Sequence, residues 1–107
     1  MEIERLADNL GLDVEDMDEL LDLYVETTSS DLEGLRAAIS AGDAEEVDRK
    51  AHSIKGASGN LGLSEIYELA TKIDDRARQN TLSGLDSMVQ ELSAEFTKLV
   101  QDLKSSS

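Results

Sequence analysis

Ala51-His52-Ser53-Ile54-Lys55-Gly56-Ala57-Ser58-Gly59-Asn60-Leu61-Gly62 sets the reading of the whole chain. On a helical wheel at about 100° per residue, with Val47 as zero, Ala51, Ile54, Ser58 and Leu61 fall within about 40° of the origin. That stripe is one buried helix face. On the same wheel His52 falls near 140°, Gly59 near 120° and Gly56 near 180°, so all three point outward. Lys55 falls near 80°, on the flank, one turn from His52. The stretch therefore predicts an amphipathic helix whose solvent side carries the chain's one histidine beside two glycines.

The same three-and-four spacing continues in both directions. Upstream, Asp13 can cap a long helix whose inward positions are Met17, Leu20, Leu21, Tyr24, Val25, Thr28, Leu32, Leu35 and Ile39. A short helix over Glu2–Asn9 precedes it, ended by Gly11. Gly42 suits the exit of the long helix, and Asp43 with Glu46 resembles a capping box at the next start. The central helix covers about Ala44–Asn60, and Leu61-Gly62-Leu63-Ser64 reads as a tight turn. A third main helix covers about Ser64–Gln79, burying Ile66, Leu69, Ala70, Ile73 and Ala77. Asn80-Thr81-Leu82-Ser83-Gly84 breaks it. A fourth covers about Gly84–Lys104, with Leu85, Met88, Val89, Leu92, Phe96, Leu99, Val100 and Leu103 inward. The predicted fold is all-α: an up-down-up-down four-helix bundle with a short extra N-terminal helix packed over one end. Residues 1–107 form a single domain, with 105–107 disordered.

Composition agrees and excludes several functions. The 107 residues include no proline, and apolar residues reach 39%, with only 3% aromatic, so the core is aliphatic. The formal charge is −14, from 10 basic and 24 acidic residues. Nucleic acid is a poor partner for such a surface, because phosphate contacts need a basic patch. No apolar run approaches the roughly 20 residues of a membrane span. The start, Met1-Glu2-Ile3-Glu4-Arg5, lacks the basic region and apolar stretch of a signal peptide. Cysteine is absent, which removes disulfides and thiolate metal sites. A cytoplasmic monomer is expected. The initial methionine and the length lean towards a free-standing protein.

The two glycines are costly. Each helix-interior glycine loses about 1 kcal/mol against alanine. Gly59 can belong to a fraying helix end, but the apolar pattern runs past Gly56 to Leu61. Glycine one turn from an exposed histidine lets a group on the ring, or a docking protein, approach closely. By itself an exposed histidine is ordinarily a surface residue. Zinc needs several His or Cys ligands, so no metal site is expected. A His/Asp/Ser triad stays open, although no nucleophile elbow supports it. No Gly-rich nucleotide loop is present. A covalent nucleophile also stays open, since histidine with its unperturbed pKa of about 6.5 is largely neutral at pH 7. Lys55 can offset charge on a phosphoryl group, or be an ordinary solvated lysine.

The run His52-Ser53-Ile54-Lys55-Gly56-Ala57-Ser58, followed by Leu61-Gly62, resembles the signature of histidine-containing phosphotransfer (HPt) domains. Gly42-Asp43 and Ala77-Arg78 also fit, and the similarity covers nearly the whole chain. The resemblance implies a phosphoryl carrier in a multistep two-component relay, not an enzyme with its own ATP site. His52 would accept the group from a receiver-domain phospho-aspartate and pass it to another receiver's aspartate. Lys55 and Gly56 would support the phosphoryl group, with Arg78 a weaker contributor. Ser53, Gly59 and Leu63 would dock the partner. The implied partners are response-regulator receiver domains and a hybrid histidine kinase. No cofactor of its own is implied; Mg²⁺ would sit on the receiver. Some members place a glutamine on the following helix to contact the phosphoryl group. Here that position is Asp74, an acid that would repel phosphate, and Arg78 can pair with it or with Asp75 at helical spacing. Two rivals remain from other classes: a receiver-binding adaptor that carries no phosphate, and a histidine-dependent hydrolase.

Overall fold

The computed structural model describes residues 2–105, with side chains over 4–103. Five helices follow one another: α1 (Glu2–Leu10), α2 (Val14–Ala41), α3 (Ala44–Leu61), α4 (Ser64–Arg78) and α5 (Leu85–Ser105). No strand occurs among the described residues. The boundaries lie within one residue of those read from the sequence, and α5 includes Ser105, which was expected to be disordered. The expected disorder at Ser106 and Ser107 lies outside the described residues.

Local chemistry sets these ends. The Asp13 carboxylate accepts from the Asp16 N–H at 2.8 Å, and Asp43 accepts from the Glu46 N–H at 3.2 Å. Each satisfies a donor that the first helical turn cannot pair internally. Gly42 and Gly62 take left-handed φ values of 69° and 75°, which return the last N–H groups to the carbonyls of the preceding turn. A Cβ is strained there, so glycine is the residue that makes both exits tight.

Cross-helix contacts give the topology. Tyr24 meets Ser58 and Asp31 meets Ser53, so α2 and α3 run antiparallel. Asp48 meets Arg78 and His52 approaches Asp74, so α3 and α4 do the same. α4 and α5 pack next, and Arg36 donates to Ser93 at 2.6 Å to close α5 onto α2. This is the expected up-down-up-down bundle. α1 buries Leu6 and Ala7 against the end formed by the α3–α4 turn, with Leu6 beside Gly62.

The core is aliphatic, built from residues such as Leu21, Leu35, Val47, Ile54, Ile73 and Leu92. Tyr24 and Phe96 meet edge to face at 6.2 Å between centroids. The Tyr24 hydroxyl is kept polar-paired by Ser58 at 2.8 Å, which explains a serine on the buried stripe of α3. One inward assignment fails. Leu20 is exposed, just outside the buried stripe of α2 that runs through Met17, Leu21, Tyr24, Thr28 and Asp31. Val25, Ile39 and Leu69 are half-buried and pack against the core edge.

Candidate functional site

α3 is held on both flanks. Towards α2, Tyr24 reaches Ser58 and the Ser53 hydroxyl donates to Asp31 at 2.7 Å. Lys50 lies 3.9 Å from the same Asp31. Between α2 and α4, Val47, Ala51, Ile54, Ser58 and Leu61 turn inward to the core as their spacing requires. With that face buried, His52 has to stand outside, and 65% of its side chain is exposed.

Gly56 and Gly59 differ. A Cβ added at Gly56 meets nothing within 4 Å, so the fold itself does not demand glycine there. A Cβ at Gly59 comes within 3.1 and 3.2 Å of the Tyr67 ring. Gly59 therefore seats Tyr67 of α4, a structural role that its expected docking assignment did not include. Leu63 departs further from expectation. It is 8% exposed and part of the core, so it cannot present a docking side chain. It is the residue that precedes α4, in the turn from α3, and joins the hydrophobic core. Ser53 is exposed, but its hydroxyl is committed to Asp31.

The remaining polar residues converge on Asp74. This carboxyl is 0% exposed and lies beneath the histidine. Its Oδ2 is 3.3 Å from Arg78 Nη2, and 3.9 Å from both His52 Nδ1 and Lys55 Nζ. Lys55 is mostly buried and leans towards Asp74. Arg78 also reaches Asp48 Oδ1 at 3.4 Å, so it pairs with acids on two helices. The Asp74 partnership is the helical-spacing alternative; Asp48 was not legible. Neither Asp74 oxygen accepts a well-formed hydrogen bond from a nitrogen or hydroxyl donor. Burial pushes the Asp74 carboxyl above the ordinary value of 3.8, with a hydrogen bond to Asp48 and its charge adding to the rise. Asp48 moves the other way, chiefly through that same hydrogen bond, helped by Arg78 and the nearby histidine. The two carboxyls are thus shifted in opposite directions. Among the described residues, no three His, Cys, Asp or Glu side chains converge as metal ligands. No helix among them is long and apolar enough to cross a membrane.

Exposed apolar surface flanks α3. Leu20 and Leu23 project from α2, Leu23 being 61% exposed, and Tyr67 is exposed on α4. Leu23 adjoins Tyr24, which meets Ser58, and Tyr67 lies on Gly59. The patch thus lies two turns from His52, roughly 10 Å along the helix. Sequence reading missed it. Leu20 matched the inward stripe, and Leu23 and Tyr67 belong to no stripe.

Comparison with known proteins agrees with this geometry. The family model for the Hpt domain matches residues 19–105. The crystal structure of histidine-containing phosphotransfer protein B from Pseudomonas aeruginosa PAO1 superposes with a TM-score of 0.86. It is 28% identical, over 94% of this chain and 88% of that one. No curated protein sequence matches the chain.

Two outcomes follow from the site's local physics. Gly56→Ala should stabilise the protein by about 0.5–1 kcal/mol in urea unfolding, because it removes helix-interior glycine without a clash. Gly59→Ala should gain less or lose stability, since the Tyr67 ring must move. Asp74→Asn should raise the thermal midpoint in a pH-dependent way. A carboxyl with a raised folded-state pKa contributes its stability below 3.8 and loses it as the pH climbs through the raised value. Asparagine mimics the protonated form throughout. Its advantage should be absent below pH 3.8, grow as the pH climbs to the raised value and then level off, as thermal unfolding across a pH series would show. Asp48 has the opposite sign: its contribution is present above 3.8 and is lost as the pH falls through its lowered value.

Proposed function

The chain belongs to the Hpt domain family, and we propose that His52 is the residue through which this histidine phosphotransfer protein carries phosphoryl groups in phosphorelay signalling. The observation that carries the assignment is an exposed imidazole, with Nδ1 turned to a buried acid and an open glycine one turn away. Nε2, across the ring from Nδ1, is then the atom for attack on phosphorus. The ring lone pair forms the N–P bond while the P–O bond to the donor aspartate breaks, leaving that carboxylate. The reverse step delivers the group to another receiver. The energy is conserved between the two bonds, so no nucleotide is needed at this stage.

Receiver domains and a hybrid histidine kinase are the partners that this role requires. The exposed Leu20, Leu23 and Tyr67 supply apolar contact on either side of the open backbone at Gly56. Lys55 sits close enough to the ring to offset phosphoryl charge, though it divides that role with Asp74. Arg78, paired twice, contributes less. Mg²⁺ belongs to the receiver, which supplies the acids for it. The protein acts as a carrier, not a free-standing catalyst, and works as a cytoplasmic monomer.

Incubation with a phosphorylated receiver and Mg²⁺ tests the assignment. Wild type should gain acid-labile, base-stable label, and His52→Ala should gain none. Unlabelled wild type would leave receiver binding alone as the role, and a labelled His52→Ala would move the carrier elsewhere. Gly56→Leu and Leu23→Asp should each slow transfer, by roughly tenfold if each removes about 1.4 kcal/mol of productive contact. Both should keep the helical circular dichroism of wild type. Unchanged rates would show that neither close approach nor the apolar flank matters.

A further inference from the structure

Charge is divided unevenly over the surface that carries His52. Between Leu6 and Leu35 the chain has ten acidic residues and no lysine, arginine or histidine. Most of that run is α2, the helix that supplies the exposed Leu20 and Leu23. α3 packs on the side of α2 marked by Asp31, which meets Ser53, and by Gly34, whose missing Cβ makes room for the Lys50 stem. On a wheel with Tyr24 as zero, Asp31 falls at about −20° and Gly34 at about −80°. Leu20 falls at about −40° and Leu23 at about −100°, so both look out beside α3. Glu19 and Glu26 fall at about −140° and −160°, one turn on either side of Leu23 along the helix. Asp16 stands one turn before Leu20. All three acids are exposed. Across α3, exposed Glu68 shares the shallow groove at Gly59 with Tyr67. Acids thus border the apolar flank on both sides.

The border changes sign towards the histidine. Arg49 stands one turn before His52 on the outer face, 70% exposed, with its guanidinium on Glu46 at 2.8 Å. The surface therefore has an acid-bordered apolar end and a basic end, with the reacting ring beside the basic one. A second copy of the chain on the apolar end would set acid against acid, which is unfavourable.

We propose that the acids bordering Leu20 and Leu23 select the partner by charge, so that the occupant of this flank is a receiver helix whose apolar face is bordered by Lys or Arg. This rests on the carrier assignment for the kind of partner and goes beyond it in stating which receivers are accepted. Leu20 and Leu23 offer apolar contact to any receiver, and Glu19 and Glu26 penalise one that brings acids to the same place. The change of sign also fixes the direction of approach. Arg49 leaves the His52 end open to a receiver's acid-lined phosphorylation site, and the reversed arrangement places like charges together at both ends.

Two versions of one receiver domain test this, its docking helix bordered by lysines in one and by glutamates in the other. Calorimetry with the intact protein and no phosphoryl donor measures binding alone. The lysine version should bind wild type at least roughly tenfold tighter at low ionic strength, and the gap should shrink several-fold in about 0.5 M salt, where screening is strong. Glu19→Lys combined with Glu26→Lys should reverse the preference. Equal affinities for wild type, or an unreversed order in the double variant, overturn the proposal. Leu23→Asp locates the contact and should weaken both versions. Attraction by net charge alone would leave the lysine version bound as tightly or more so, since the variant adds an acid, and that result also overturns the proposal. Sedimentation of the protein alone completes the test: a dimer that Leu23→Asp dissolves would give the flank to a second copy instead. His52→Ala should keep the wild-type preference. An unlabelled wild type that keeps the preference would therefore sink the carrier assignment alone, and a labelled wild type without the preference would sink this proposal alone.

Discussion

The rotation of α3 about its own axis is the constraint on which the site depends. Val47, Ala51, Ile54, Ser58 and Leu61 all have to reach the core. Burying a side chain such as Ile54 is worth about 1.5–3 kcal/mol, so a turn of the helix that exposed this stripe would cost several times the gain from any polar contact at the surface. Once the stripe is buried, the angular positions of His52, Lys55 and Gly56 are fixed. His52 faces outward on the α4 side, Lys55 lies in the α3–α4 seam, and Gly56 lies fully outside. The chemistry is placed by residues that take no part in it.

Electrostatics then refines what packing has placed. Asp74 occupies the seam at the level of His52, and the groups around it come from two helices. Arg78 bridges Asp74 and Asp48. The result is a small charged network under an exposed ring, in a protein whose overall charge is strongly negative. Burial alone would favour an apolar residue at position 74, and the cations and Asp48 partly offset the cost of keeping a carboxyl there.

Much of this was legible in the sequence, because helical periodicity is a local signal. The stripe of α3 gave the outward direction of His52 and the inward direction of Ser58. Asp13, Asp43, Gly42 and Gly62 marked helix ends through contacts made within a few residues. What failed depended on neighbours distant in the chain. Leu20 has the spacing of a core residue, but the buried stripe of α2 is narrower than the apolar pattern suggests. Leu63 sits in a turn, where no periodicity assigns a direction, and the adjoining helices decide its burial. Gly59 stays exposed, but the Tyr67 ring beside it, which leaves little room for a Cβ, was not legible. Asp74 was identified as a departure from a familial glutamine, yet its burial and its partner Asp48 required the three-dimensional pairing of α3 with α4.

The two bonds that fasten α3 to α2, Tyr24 to Ser58 and Ser53 to Asp31, bear on association as much as on folding. Both lie on the C-terminal side of His52 along the helix, one on the adjacent residue and one six positions away. The helix beneath the outward face is thereby already immobilised before any partner arrives. A receiver meeting this surface has little of its ordering entropy to supply, so a modest contact area can suffice for recognition. The same economy allows fast separation. A carrier that must visit two partners in succession is served by a rigid, shallow surface that binds briefly, and these two hydrogen bonds give α3 that rigidity without covering its outer face.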